Sequence, residues 1–295
     1  MRKISYYELG ATLYIPILHK NLEIILKREK YDYLKSIVIC LEDSTALCDM
    51  KEGMEQLQQC IKNLKQTCLK VFIRPRDIEN LKTILNFENI EVIDGFALAK
   101  FDTQNSEAYL CVFREYNHFY LMPILETKEV FSSLKLQSIL EVLKPFREQI
   151  LVVRIGGEDI LSHLGMMRNC KKTIYDTMPL YLILSTIINL FKPYGFFISS
   201  VVYACFKEKR ILHQELLGDI EHQLFNKTSI HPEQVKIIQS YYQVTPDAYE
   251  VAKRLLESDD AIFSHKGRMY EKTTHSNWAK SVIQRYQNYG VTDAK

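Results

Sequence analysis

The sequence has little of several features that mark special classes of protein. Among its 295 residues are only eight prolines and ten glycines, which does not indicate a fibrous or low-complexity chain. The formal net charge is only +2, so composition gives no electrostatic case for nucleic acid or an anionic membrane surface as partner. The most apolar stretch, residues 178–191, is too short to span a bilayer. We therefore expect a globular protein with no membrane or nucleic-acid partner.

The seven cysteines also lack the spacing of a metal or redox motif. Their number is odd and no C-x-x-C pair occurs, which argues against a disulfide framework and against a zinc site. Residues 1–20 contain no long apolar core, so they are not typical of a signal peptide. These observations predict reduced thiols in a cytoplasmic protein.

What the sequence does contain is a repeated alternation of short β-type runs and longer helical patterns. Candidate strands lie at residues 12–17, 36–43, 70–76, 95–101, 120–127, 150–159, 195–202 and 228–232. The segments between them, such as residues 50–66, place their apolar residues on one helical face. Strands that alternate with helices predict a parallel sheet, and eight such units at this length predict a (β/α)8 TIM barrel. We place the catalytic barrel at residues 1–257 and a C-terminal extension, a hairpin plus a helix, at residues 258–295.

Two regions do not fit eight regular units cleanly. Residues 160–194 are long enough for a loop insertion in addition to a helix, and residues 107–124 have room for an extra strand in place of a clean helix. A doubly wound open sheet therefore stays a structural alternative at this point.

Charged residues or a histidine follow most of the predicted strands, at the points where the strands end. In chain order these residues are Glu42 and Asp43, Arg74 and Arg76, Lys100 and Asp102, Glu126, Asp159, and His231. A single acid of this kind is ordinarily a solvated loop charge. In a barrel, however, the carboxyl ends of all strands face one rim, where catalytic residues lie. The repetition therefore predicts a functional site at that rim.

Glu126 and Asp159 are the most informative pair among these residues. They end adjacent predicted strands, and the bend at Gly156 and Gly157 allows close approach of the backbone. Two carboxylates that leave other coordination positions to water and substrate oxygens suit Mg²⁺. The pair therefore predicts a magnesium site at the rim.

Several sequence blocks, taken in order, are similar to those of the citrate lyase β-chain and malyl-CoA lyase superfamily, which also contains related aldolases. The blocks are LYIPILHKN, IVICLEDS, VFIRPR, DGFALAKF, LMPILET, VRIGGEDI, IHPEQV and FSHKGRMYE, and they cover nearly the whole chain. RIGGEDI, RNCKKTIYD and GFFIS most resemble a divergent branch of C–C bond lyases associated with tellurium-resistance and stress gene clusters.

The resemblance implies a TIM barrel, a homo-oligomer of the trimer or hexamer type, and specific roles for residues of this chain. Glu126 and Asp159 would hold Mg²⁺, Arg74 would grip a carboxylate or carbonyl oxygen of the substrate, and Glu42 and Asp43 would lie beside the metal. Glu271 would act as general acid or base, in its own or a neighbouring subunit. Further candidates for substrate binding are Arg76, Lys100, Gly157 and His231, although His231 also suits a structural role in its turn and Lys100 that of a paired surface charge.

The chain departs from the family pattern at two positions. Cys40 replaces the usual first acid of the second-strand block, and Glu271 stands where the family has an aspartate closely followed by proline. We predict a Mg²⁺-dependent lyase or aldolase that cleaves or forms a C–C bond in a small carboxylated β-hydroxy substrate; whether that substrate is a coenzyme A thioester stays open. The alternative is a catalytically weakened barrel that serves as a ligand-binding or scaffold subunit in a stress-response complex.

Overall fold

Short runs of β-branched and aromatic residues form the strands of one parallel sheet. The runs SIVIC and KVFIR are buried at every position, as expected for strands covered on both faces. The computed structural model describes residues 3–292, and its sheet contains seven strands. They are β1 Ala11–Pro16, β2 Ser36–Cys40, β3 Lys70–Arg74, β4 Gly95–Leu98, β5 Tyr120–Leu125, β6 Arg154–Ile155 and β7 Lys227–Ser229.

The strand order is β6-β5-β4-β3-β2-β1-β7, and every neighbouring pair is parallel. The predicted seventh strand, residues 195–202, is present as single parallel bridges on both sides, from Ile198 to Val153 and from Ser200 to Lys227. This segment therefore joins β6 to β7 and closes the sheet on itself. The predicted (β/α)8 fold is confirmed, and the alternative of an open doubly wound sheet is wrong because the two edges of the sheet are joined.

Helices connect the strands and cover the outside of the sheet. They are α1 Leu22–Leu26, α2 Met50–Asn63, α3 Ile78–Leu85, α4 Ser106–Glu115, α5 Ser133–Leu143, α6 Gly157–His163, α7 Met178–Phe191, α8 Lys209–Glu221 and α9 Pro232–Ser240. Residues 107–124 hold most of α4 and then β5, so the extra strand considered there does not form. The long segment 160–194 contains the end of α6, an irregular loop and α7. Within residues 3–292, none of the helices has the length and apolar character needed to cross a bilayer.

The chain divides by packing into two units, with the division between Lys236 and Ile237. The second unit contains α10 Pro246–Glu257, a hairpin of β8 Ile262–His265 and β9 Arg268–Glu271, and α11 Lys272–Tyr289. Its buried core is built by residues of α10, the hairpin and α11 together. Helix α10 therefore packs with the C-terminal segment, while the assignment of catalysis to residues 1–257 stays a prediction.

The hairpin of the second unit turns where the sequence indicates. Lys266 and Gly267 both have positive φ, of 47° and 78°, and the strands pair Ile262 with Glu271 across the ladder. Two consecutive residues with positive φ are typical of the tight turns that match the twist of a hairpin.

The prediction of reduced thiols is wrong for two of the seven cysteines. Cys170 and Cys205, which are 35 residues apart in the chain, form a disulfide with their Cα atoms 5.5 Å apart. The remaining five are free thiols in the described chain. The fold places the loop after α6 beside the loop after the seventh strand segment. The spacing of the cysteines along the sequence does not predict this proximity.

Candidate active site

Strand register brings the predicted charged residues to the same level of the sheet. Cys40 pairs with Arg74 across β2 and β3, and Leu125 pairs with Ile155 across β5 and β6. Glu42 and Glu126 therefore follow closely after paired positions, at the carboxyl end of the parallel sheet. This is the end of a barrel at which catalytic residues are found.

Arg74 lies at the centre of a group of carboxylates. Its Nη2 atom is 2.6 Å from Glu42 Oε2, 3.2 Å from Glu126 Oε1 and 3.3 Å from Asp43 Oδ2. Arg74, Glu42 and Glu126 are all at least 92% buried, whereas Asp43 is exposed. Burial alone would lower the pKa of Arg74, but Glu126 and its other neighbours raise it above the ordinary value, so the guanidinium stays charged.

Lys100 adds a second cation and a backbone donor to this group. Its ammonium contacts Glu42 and lies 3.4 Å from Asp43 Oδ1, while its main-chain N–H donates to Glu126 Oε1 at 2.8 Å. Lys100 has a φ of 50°, in the left-handed region that residues other than glycine rarely adopt. We call the set of Glu42, Asp43, Arg74, Lys100 and Glu126 the rim cluster.

The two carboxylate oxygens of Glu126 have different surroundings: Oε1 accepts hydrogen bonds, and the backbone of Gly156 lies close to Oε2. Both of its hydrogen bonds in the described structure, from Arg74 and Lys100, end on Oε1. A Cβ at Gly156 would lie 2.1 Å from Oε2, so only glycine fits beside this oxygen. Burial raises the pKa of Glu126 to about 7, although the charge of Arg74 opposes the shift.

Asp159 lies near Glu126, in the first turn of α6. It is half-buried, and its charge contributes to the raised pKa of Glu126. Residues 3–292 contain no group of three or more histidine, cysteine, aspartate or glutamate side chains arranged to hold a metal ion. Two carboxylates that leave other coordination positions to water or substrate oxygens are a common arrangement for Mg²⁺. The assignment of Glu126 and Asp159 as its ligands stays a prediction.

The other rim candidates have different surroundings. Arg76 donates from Nη2 to the main-chain oxygen of Thr45 at 3.0 Å. Gly157 lies against Val201, since a Cβ there would be 2.1 Å from Val201 Cγ1, so packing already accounts for this glycine. His231 stacks on Phe206, and the N–H of Glu233 donates to its Nδ1. The roles of Arg76, Gly157 and His231 in substrate binding stay predictions.

Glu271 belongs to the second unit, at the end of β9 and directly before α11. Its main-chain N–H donates to His275 Nδ1 at 3.0 Å, and its Oε2 accepts from the hydroxyl of Thr274 at 2.9 Å. Its role as general acid or base stays a prediction.

Asn105 supports the rim cluster but was not predicted from the sequence as part of the site. Asn105 donates from Nδ2 to the main-chain oxygen of Lys100 at 2.7 Å and accepts from the N–H of Asp102 at 3.1 Å. These bonds hold the turn in which Lys100 takes its left-handed conformation. The signal was present as the asparagine and aspartate of DTQN, residue types that bond to nearby backbone in turns.

Comparison with protein families assigns the chain to a family. The family described as C–C bond lyase of the TIM-barrel fold matches residues 3–291. The chain belongs to this family. The predicted superfamily is thereby confirmed, whereas the link to tellurium-resistance and stress genes stays a prediction. The comparison with curated proteins gave no significant match.

Solved structures share the fold of this lyase family member at low sequence identity. A citrate lyase from Burkholderia xenovorans has a TM-score of 0.72 at 14% identity, covering 100% of this chain and 98% of its own. CitE from Mycobacterium tuberculosis, in complex with magnesium, acetoacetate and coenzyme A, has a TM-score of 0.68 at 16% identity over 96% of this chain and 99% of its own. The citrate lyase β subunit of the same organism, complexed with oxaloacetate and magnesium, has a TM-score of 0.60 at 15% identity, covering 81% and 99%.

Proposed function

We propose that the protein is a Mg²⁺-dependent lyase or aldolase that cleaves, or in reverse forms, a C–C bond next to a carbonyl group. The observation that carries the proposal is the meeting of Glu42, Asp43 and Glu126 on one atom of Arg74. Together with Arg74, these residues lie at the ends of three strands, β2, β3 and β5. Membership of the C–C bond lyase family supports the reaction class.

The charges of the site favour an added cation. Glu42, Asp43, Glu126 and Asp159 are four carboxylates, while Arg74 and Lys100 supply two positive charges. Glu126 Oε2 and the half-buried Asp159 provide hard oxygen donors of the kind that Mg²⁺ prefers. The residues therefore fit this ion, and when bound it would act as a Lewis acid toward the oxygen on which negative charge develops.

The residues of the chain would perform the remaining steps. Cleavage next to a carbonyl leaves negative charge on that oxygen, and fixed positive charge nearby lowers the barrier. Arg74 supplies this charge, and its Nε, which has no hydrogen-bond partner in the described structure, is a remaining donor toward a substrate oxygen. Lys100 and Arg74 hold Glu42 and Asp43 in place through ion pairs. Burial raises the pKa of Glu42, whereas the hydrogen bond with Glu42 and the charges of Arg74 and Lys100 overcome the effect of burial and lower the pKa of Asp43. We assign removal of the β-hydroxyl proton to a general base, for which Glu271 is our candidate.

The solved relatives support a small carboxylated substrate. Those structures contain acetoacetate with coenzyme A, or oxaloacetate, each together with magnesium. We propose a β-hydroxy acid of this size for the present protein, either free or as a coenzyme A thioester. A cytoplasmic location and assembly as a trimer or hexamer are further predictions of the same hypothesis.

A direct test is a screen for retro-aldol cleavage in the presence of Mg²⁺. Small β-hydroxy acids and their coenzyme A thioesters would be supplied, and release of pyruvate, glyoxylate, oxaloacetate or acetyl-CoA would be measured. We expect Glu126→Gln and Asp159→Asn to reduce kcat/KM by at least about 100-fold. Arg74→Lys should lose a comparable factor, because lysine lacks the planar two-pronged donor.

A matched control is Glu107→Gln, which removes an exposed carboxylate that pairs with Arg114 on α4. This variant should retain the activity of the wild type. Absence of turnover with every substrate, combined with normal Mg²⁺ binding, would contradict the lyase proposal and favour the scaffold or ligand-binding alternative.

A further inference from the structure

The disulfide between Cys170 and Cys205 lies on the rim that carries the candidate site. Cys170 is in the irregular loop 164–173 between α6 and α7, and Cys205 is in the loop after the seventh strand segment. The chain reaches these loops from the carboxyl ends of β6 and of the seventh strand segment, in the first case through the short helix α6. Helix α6, which carries Asp159 in its first turn, leads directly into the loop of Cys170.

Non-covalent contacts hold the same two segments together beside the disulfide. The buried guanidinium of Arg168 pairs with Glu215 and lies over the ring of Tyr203, with 5.2 Å from Cζ to the ring centroid. The hydroxyl of Tyr203 donates to the main-chain oxygen of Cys170 at 3.0 Å. The loop therefore has a docked arrangement that the disulfide can lock.

The disulfide is accessible to a reactant in solution. Cys170 is exposed and Cys205 is half-buried. Lys171 and Lys172 follow Cys170 and are exposed, and exposed Lys207 follows Cys205 by two positions. Nearby cations attract anionic thiolates and favour thiol–disulfide exchange.

We propose that Cys170 and Cys205 form a reversible thiol–disulfide exchange site whose co-reactant is a small thiol or a dithiol protein. The oxidised state locks the part of loop 164–173 around Cys170 onto the segment around Tyr203, and the reduced state releases this part, while the buried Arg168 stays paired with Glu215. Gly157 of α6 packs against Val201, so the lock also holds the element of Asp159 against the seventh strand segment. Control of catalysis by this lock rests on the proposed function, whereas the exchange site itself does not.

The exchange proceeds in two balanced steps. A thiolate attacks Cys170 Sγ, the bond to Cys205 breaks, and Cys205 leaves as a thiolate that takes up a proton. A second thiolate then attacks the added sulfur, which releases the reactant as its disulfide and leaves Cys170 as a thiol after protonation. The protein gains two electrons and two protons, and two thiols are oxidised.

The first experiment counts thiols under denaturing conditions after equilibration with glutathione redox buffers. Fully oxidised protein should show five thiols and fully reduced protein seven, with a single reversible transition between them. Cys170→Ser should abolish the transition, whereas Cys111→Ser, which removes an exposed free cysteine on α4, should preserve it. A constant thiol count across all buffers, or loss of two thiols at cysteines other than this pair, would overturn the proposal.

The second experiment reports on the loop without any assay of activity. Trypsin cleavage after exposed Lys171 or Lys172 would be followed by mass spectrometry in both redox states. We expect several-fold faster cleavage after reduction, and the fast rate in Cys170→Ser regardless of redox state. Equal rates in both states of the wild type would refute the release of the loop.

The third experiment links the lock to the rim. Mg²⁺ affinity and, for any substrate that is turned over, KM and kcat would be compared between oxidised and reduced protein, with Cys111→Ser as control. A difference that Cys170→Ser removes is the expected result, and its absence would overturn control of the site. Failure of all lyase assays would refute only the proposed function, because thiol counting and proteolysis test the exchange site separately.

Discussion

Two clusters of charged residues in the barrel, each with buried members, are similar in composition but differ in the balance of positive and negative charge. The rim cluster has three acids and two bases, lies at strand ends, and has the further acid Asp159 nearby. The second cluster, here called the wall cluster, has two acids and two bases that are at least 91% buried. Its members are Lys227 of β7, Glu215 and Asp219 of α8, and Arg168 of loop 164–173.

The wall cluster satisfies its own charges. Lys227 Nζ is 2.9 Å from Glu215 Oε1 and 3.0 Å from Asp219 Oδ2, and Arg168 takes the other oxygen of Glu215. The rim cluster instead keeps an excess of negative charge at an accessible edge. Burial of charge alone therefore does not distinguish the proposed site from a structural cluster in this barrel, whereas uncompensated charge at the strand ends supports the proposal.

The largest expected effect comes from breaking the wall cluster. Lys227→Met would leave Glu215 and Asp219 buried with one cation fewer, and should lower the free energy of unfolding by about 3–5 kcal/mol. Urea denaturation would measure the loss. Lys209→Met, which removes an exposed pair with Glu233, should cost less than about 1 kcal/mol. Similar losses for the two variants would contradict the structural role of the wall cluster.

A smaller effect should appear in the pH dependence of the rim cluster without metal. The pKa of Glu126 is about 7 in the folded protein, against an ordinary value of 4.5. The folded state then binds more protons than the unfolded state between these values, so stability falls as pH rises from about 5 to 8, by up to about 3 kcal/mol. Glu126→Gln should lack this decrease.

Urea denaturation in EDTA at pH 5 and pH 8 would measure the difference between the two proteins. We expect the variant to gain stability relative to the wild type as pH rises. Parallel profiles would show that the pKa of Glu126 is not raised in the folded protein.

The smallest effect concerns the turn that supports Glu126. Asn105→Ala would remove the bond to the carbonyl of Lys100 and loosen the N–H that holds Glu126 Oε1. If Glu126 binds Mg²⁺ as proposed, affinity for the ion should fall about tenfold, as for other residues that orient metal ligands. Calorimetric titration with Mg²⁺ would measure this affinity. Asn63→Ala, on the exposed face of α2, is the control; equal affinities in both variants would exclude a positioning role for Asn105.

Much of the barrel was predictable because β2 to β5 are buried at every position. A strand buried in this way needs a continuous apolar run, and runs such as SIVIC are easily recognised. The same boundaries predicted which charges follow the strands. Glu42, Arg74 and Glu126 could therefore be assigned to one rim before their distances were known.

Other features depend on contacts between distant parts of the chain, which local sequence patterns do not predict. The apolar run at residues 150–159 forms a strand only at Arg154–Ile155, because the chain enters α6 at Gly156 and Gly157. The apolar run at residues 195–202 pairs with its neighbours only through single bridges. The left-handed φ of Lys100 is imposed by its neighbours on a residue type that does not favour it. The disulfide joins loops whose proximity arises only when the barrel closes.

The seventh strand segment gives the barrel a seam. Each side of this segment is joined to its neighbour by one bridge, whereas β1 and β2 are paired over five residues. Thermal fluctuations should open the cylinder at this seam first, so the amides of Val153 and Ser200 should exchange with heavy water earlier than those of Ile15 or Ile39.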